Sequence, residues 1–130
     1  MTDFETASLR AAPRVVAPDG SDVRILPSVA GGSLAHFTLA PGATSRAVTH
    51  RTIEEIWFVL SGRGEMWRAT DGREEIVGLQ SGVALTIPLG TRFQFRATGD
   101  DALTAVGVAM PPWPGDDEAI AVSGPWEPTA

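Results

Sequence analysis

His50 and Glu55 are the two side chains in this sequence whose types and spacing most directly suggest chemistry. Imidazole nitrogen and carboxylate oxygen are usual protein ligands for Fe, Mn, Ni or Zn, and without a metal the same two groups form an acid–base pair. A hydrogen-bonded buried pair with a purely structural role is the plain alternative. Side chains alternate along an extended strand, so Arg46, Val48 and His50 share one face, as do Glu55, Trp57 and Val59. Arg46 on the face of His50 would clamp a substrate carboxylate through its planar fork, or pair with a carboxylate such as Glu55. His36 is the only other histidine and the one further candidate for a metal ligand, set against an ordinary hydrogen-bonded strand histidine.

Composition removes much other chemistry. The chain has no cysteine and no tyrosine, and all ten of its basic residues are arginine. Thiol nucleophiles, disulfides, phenolic acids, lysine Schiff bases and a lysine anchor for pyridoxal are therefore absent. With sixteen acidic residues the net charge is −6, which gives no electrostatic footprint for nucleic acid or an anionic membrane. No apolar run approaches a membrane span and the start lacks a signal-peptide pattern, so a cytoplasmic protein is expected. Asp116, Asp117 and Glu118 lack the alternating oxygen ligands of a calcium loop and read as a solvated turn.

The elements that would position these groups are short. Apolar stretches recur about every ten residues between turn signals, the pattern of an antiparallel sandwich or barrel. Strands are predicted over 23–28, 33–40, 44–50, 55–61, 65–70, 74–79, 83–87, 93–97 and 103–110. Asp71-Gly72 predicts a tight hairpin turn of the primed kind. The stretch EIWFVLS from Glu55 is apolar on both alternating faces, which implies cover on both sides. At 130 residues one domain is expected: an N-terminal arm at 1–13, a barrel at 14–110 and a proline-rich tail at 111–130. Trp113 and Trp126 in that tail are too apolar to be left in water, so the tail should pack on the barrel or across a dimer.

Gly42, His50, Glu55 and Gly62 form one frame, and Gly82, Pro88 and Gly90 a second. Together, over 24–110, they resemble the cupin family, in the form of a small single-domain cupin. The family's first motif has two histidines one residue apart, and Val48 stands in the place of the first; its second motif delivers a histidine where this chain has Phe93. The resemblance implies an all-β antiparallel double-stranded β-helix, or jelly-roll barrel, and a homodimer formed through its sheets. Of the family's three histidines and one glutamate that hold a metal, only His50 and Glu55 remain. Because the family points its histidine inward at the position of Phe93, that ring and Phe95 should line the interior, making with Val48 and Trp57 an aromatic-walled pocket for a small organic ligand.

Three functions follow as expectations. The first is metal-poor acid–base chemistry of isomerase, epimerase or lyase type, with His50 as acid or base, Glu55 orienting it and Arg46 holding an anionic substrate. The second is a non-catalytic binding protein, which suits the exchange of two polar ligands for the apolar Val48 and Phe93. The third is a metal enzyme, a dioxygenase or isomerase, using His50, Glu55 and a third ligand such as His36.

Overall fold

The computed structural model describes residues 3–130; residues 1 and 2 of the expected arm lie outside them. Eleven strands follow in order: β1 (Arg14–Val16), β2 (Asp22–Val29), β3 (Gly32–Leu39), β4 (Val48–His50), β5 (Glu54–Ser61), β6 (Arg63–Thr70), β7 (Arg73–Gln80), β8 (Ala84–Ile87), β9 (Arg92–Ala97), β10 (Leu103–Met110) and β11 (Ala119–Ala121). They pair antiparallel into a six-stranded sheet, β1-β2-β3-β10-β5-β8, and a five-stranded sheet, β11-β4-β9-β6-β7. This is the expected all-β jelly-roll barrel.

Period-two patterning sets which face is buried. Along β5, Glu55, Trp57 and Val59 are buried while Ile56, Phe58 and Leu60 are exposed. On β10 the buried and half-buried positions alternate throughout. The inward set from the two sheets, including Trp57, Val59, Met66, Ile87, Phe93 and Phe95, makes one apolar core between them.

Three local features differ from expectation. The strand expected over 44–50 is regular only from Val48 to His50, because Ser45 is drawn out of alternation by β9 and Ala47 by the tail. Val122 N–H bonds Ala47 O, and Gln94 Nε2 bonds Ser45 O. The β6–β7 hairpin closes at Thr70 and Arg73 as expected, but only Gly72 takes a positive φ, at 80°, so the turn is not of the primed class. Two strands arise that hydrophobic patterning did not show, β1 and β11, both three-residue edge strands too short to carry a period.

The last twenty residues form a strap. β11 pairs with β4, placing Ala119 opposite His50. Further on, Trp126 packs with Val122 against Trp67, Ala69 and Ala47 on the outer side of the five-stranded sheet. Gln94, fully buried, bonds the Trp126 carbonyl and accepts its N–H, and the Arg96 guanidinium lies 4.2 Å over the Trp126 ring. Thus Trp67 is core, under the tail rather than inside the barrel.

Candidate functional site

β4 and β5 belong to different sheets and are joined by a three-residue loop, so the chain carries His50 and Glu55 to facing positions at one end of the barrel. His50 Nδ1 stands 3.6 Å from Glu55 Oε1, and both side chains are buried. At that separation they face one another without a closed hydrogen bond.

The loop is held from outside. Glu118, read from sequence as part of a solvated turn, is buried instead: its carboxylate accepts the Thr52 and Ile53 N–H groups at 2.6 and 3.0 Å and Thr52 Oγ1 at 2.6 Å. Asp116 and Asp117, beside it, are exposed as expected. The reason for the difference is local. A 3-10 turn at Asp116–Glu118 aims only its third side chain at the barrel, where three orphan donors of the β4–β5 loop need an acceptor. No sequence pattern announces a partner 65 residues away.

A cavity of about 420 Å³ opens beside the pair. Val48, Trp57 and Phe93 line it as the sequence suggested, together with His50 and Glu55. The indole of Trp57 stacks on Phe37 with ring centroids 4.7 Å apart. Gly107 permits this, since a Cβ there would stand 2.8 Å from an atom of each ring. His50 is gripped edge-on between Phe93 and Trp113, at 5.2 and 5.3 Å. Phe95 is buried behind Trp57 at 5.0 Å and supports the wall without reaching the cavity.

Two expected members are elsewhere. Arg46 sits in the irregular stretch before β4, where alternation no longer holds; it is exposed, and its Nε donates to the Ala130 carbonyl. With it goes the expected clamp for an anionic substrate. His36 pairs with Arg24 and Val106 in register, while its neighbours Ala35 and Phe37 line the cavity, so its ring is on the opposite face of the sheet from His50.

Sequence reading did not single out Asp19, which stands in the turn-forming run Pro18-Asp19-Gly20. It lines the cavity and is buried, with Oδ1 accepting Ser21 N and Ser21 Oγ at 2.9 and 2.7 Å. The Asp-x-Ser spacing signals such a self-bonding turn, but nothing local says that the turn folds over a pocket.

Burial dominates the electrostatics. It lowers the His50 pKa to about 4, with the negative Glu118 working in the other direction. It pushes Glu55 up to about 8, helped by the negative charge of Asp19 and opposed by the nearby Trp57 indole. Asp19 is also raised by burial, against the Ser21 hydrogen bonds and the charge of Arg46. Near neutral pH the facing pair is therefore a neutral imidazole and a protonated carboxyl. Two polar atoms at the site have no hydrogen-bond partner, His50 Nδ1 and Trp57 Nε1. Such groups cost about 1–3 kcal/mol each when buried unpaired, which marks a place where a ligand would add bonds.

The residues present do not fit a resident metal. Among the described residues no three His, Cys, Asp or Glu side chains converge. Val48 and Phe93, directly paired across β4 and β9, present hydrocarbon where further ligands would be needed.

Comparison with known proteins places this geometry in context. The family model described as "Cupin domain" matches residues 35–109. Among curated proteins none matches. The fold is similar to that of Streptomyces Pac13, a nucleoside dehydratase, at 15% identity and TM-score 0.72, covering 93% of this chain and 92% of that one. It is also similar to oxalate decarboxylase from Bacillus subtilis, at 20% identity and TM-score 0.73, covering 88% of this chain and 30% of the other. A third is Drosophila melanogaster CENP-C bound to CAL1, at 16% identity and TM-score 0.70, covering 80% of each. At such identities the likeness is one of fold, and the three proteins serve different ends.

Proposed function

The chain belongs to the cupin domain family, and on that barrel we propose that it catalyses proton transfer on a small organic molecule, with His50 as general base and Glu55 as general acid. The observation that carries this reading is the pair itself: 3.6 Å apart, buried, and pushed by burial in opposite directions so that the base is free and the acid is protonated at neutral pH.

In the proposed step His50 takes a proton from the carbon next to a substrate carbonyl. The C–H electron pair becomes the C=C bond of an enol, the carbonyl π pair moves onto oxygen, and that oxygen takes the Glu55 proton. His50 is left protonated and Glu55 ionised, an ion pair at the separation already built. Return of the proton from His50 to another carbon or another face, with the enol proton going back to Glu55, gives an isomer or epimer and resets both groups. Positioned acid–base pairs of this kind contribute ~100- to 10,000-fold. The test is proton NMR in D2O over a panel of cyclic ketones: exchange of α-protons above the buffer rate, reduced ~100-fold or more by both His50→Ala and Glu55→Gln. Exchange at the buffer rate with every bound ketone would sink the proposal.

Ligand holding without turnover is the second reading. It is supported by Val48 and Phe93, which are apolar and buried beside His50, and by the structure of Pac13 with uridine, a cupin-like barrel holding a small organic molecule.

We also propose a homodimer. The outer face of the six-stranded sheet carries Leu34, Val108 and Ile56 in one row across β3, β10 and β5, and Val106 and Phe58 in the next. Ile56, Phe58 and Leu60 are each at least 40% exposed. Phe4, fully exposed on the N-terminal arm, adds to a groove that continues this surface at Leu34 and Val108. An exposed apolar face of this kind is covered most simply by a second copy.

A further inference from the structure

We infer that the cavity selects an uncharged, flat ring compound bearing a carbonyl oxygen, which enters beside the Phe37–Trp57 stack and places that oxygen between Trp57 Nε1 and the Glu55 carboxyl. This deepens the acid–base reading and rests on it for turnover, but the choice of ligand class stands on separate observations.

The first is the charge of the walls. No arginine lines the cavity, and the ionisable side chains that do are Asp19, His50 and Glu55, with Asp116 exposed at its edge. An anion would meet carboxyls and no cation to neutralise it. A cation would find little more. One Asp19 oxygen already takes two bonds from Ser21, and most of the remaining wall is hydrocarbon, where an unpaired ammonium is costly to bury.

The second is the set of unpaired polar atoms. Trp57 is 2% exposed and its Nε1 has no acceptor, although the indole is near enough to the Glu55 carboxyl to favour the ionised form slightly. An indole N–H can only donate. Glu55, when protonated, also donates. Glu55 lines the cavity and the indole N–H lies enclosed beside it, so an acceptor with two lone pairs, as a carbonyl oxygen has, would take the carboxyl's bond and, with a small shift of the ring, the indole's. His50 Nδ1, likewise unpaired, then lies next to the carbon adjoining that carbonyl.

The third is the slot. Gly107 keeps the Phe37–Trp57 stack flat against β10, and the rings of Phe93 and Trp113 stand edge-on around His50. Aromatic faces and edges in this arrangement favour a planar skeleton over a branched aliphatic one.

The test uses three probes of nearly one shape, 2-tetralone (neutral ketone), 2-naphthoate (anion) and 2-aminotetralin (cation), titrated at pH 7 and followed by tryptophan fluorescence and ligand NMR. The neutral ketone is expected to bind ~10-fold or more tightly than either charged analogue, since each charge must be desolvated without a partner. Glu55→Gln keeps a donor at that position, so its affinity for 2-tetralone should stay within ~3-fold of wild type while α-proton exchange in D2O is lost. Binding of either charged probe as tightly as 2-tetralone, or no binding of 2-tetralone, overturns the ligand class. Tight binding of 2-tetralone with no exchange in wild type leaves the ligand class standing and removes the proton-transfer reading instead.

Discussion

The Glu118 carboxylate accepts the Thr52 N–H at 2.6 Å, so a residue of the C-terminal tail fixes the loop that joins the two facing groups of the site. The same carboxylate serves Ile53 N–H and Thr52 Oγ1, and its negative charge raises the His50 pKa against the effect of burial. These hydrogen bonds outweigh burial and hold Glu118 below the usual carboxylate range. Its contribution is therefore complete above the ordinary value of 4.5 and lost as pH falls through the lower folded value.

Glu118→Ala should lower stability by about 2–3 kcal/mol, because it leaves two loop N–H groups without an acceptor. Urea unfolding at pH 7 measures the loss. In the same variant the His50 ring should titrate still lower than in wild type, read by NMR of its ring protons. An upward shift would show that Glu118 is not electrostatically coupled to the site.

The facing pair gives stability a pH signature. Glu55, raised to about 8 from 4.5, contributes fully below pH 4.5 and loses that contribution as pH rises to about 8. His50, lowered to about 4 from 6.5, contributes fully above pH 6.5 and loses it as pH falls to about 4. Between 4.5 and 6.5 the two slopes oppose; between 6.5 and 8, of the pair, only Glu55 acts. The wild-type urea midpoint should fall over that upper window, with Glu55 contributing up to about 1.4 kcal/mol per pH unit, and Glu55→Gln should fall less steeply there, its remaining slope belonging to Asp19, which burial also raises. Identical profiles for the two proteins would contradict the raised Glu55.

Much of this was legible in the sequence because it depends on local pattern. Period-two alternation located the long strands, and β10 runs over Leu103–Met110 as read. The cupin resemblance carried by the glycine–proline frames implied the barrel and the proximity of His50, Glu55 and Phe93. What failed depended on contacts distant in sequence. Arg46 was placed inside by alternation, but β9 and the tail break the strand at that point and turn the side chain out. Glu118 and Asp19 looked like turn residues because a partner across the fold leaves no local trace. Arg46→Ala accordingly should change the affinity for a pocket ligand by no more than ~2-fold, measured by the same fluorescence titration, since only a charge at the periphery is removed. A tenfold loss would restore it to the site.

Gly107 and Gly78 separate close approach from simple backbone entropy. At Gly107 a Cβ would press on Phe37 and Trp57, whereas at Gly78 it would meet nothing within 4 Å. Gly107→Ala should destabilise by about 1–3 kcal/mol through overpacking and perturb the Trp57 fluorescence. Gly78→Ala should be neutral or stabilising by up to about 1 kcal/mol. Equal effects at both positions in urea unfolding would mean that the Phe37–Trp57 stack does not need the glycine.

The apolar outer face makes the last prediction. Phe58 is 46% exposed and neighbours Val106 in register, while Trp57 and Val59 on either side of it are buried in the barrel. A charge at Phe58 would therefore project away from the pocket and leave the core packing untouched. If a second copy covers this face, wild type should elute and scatter light as a dimer and Phe58→Glu as a monomer of half that mass, because a carboxylate buried against apolar surface without a partner opposes association by several kcal/mol. The variant's cavity should still bind 2-tetralone, which distinguishes loss of the interface from loss of the fold. A monomeric wild type at micromolar concentration would remove the second copy as the occupant of this face.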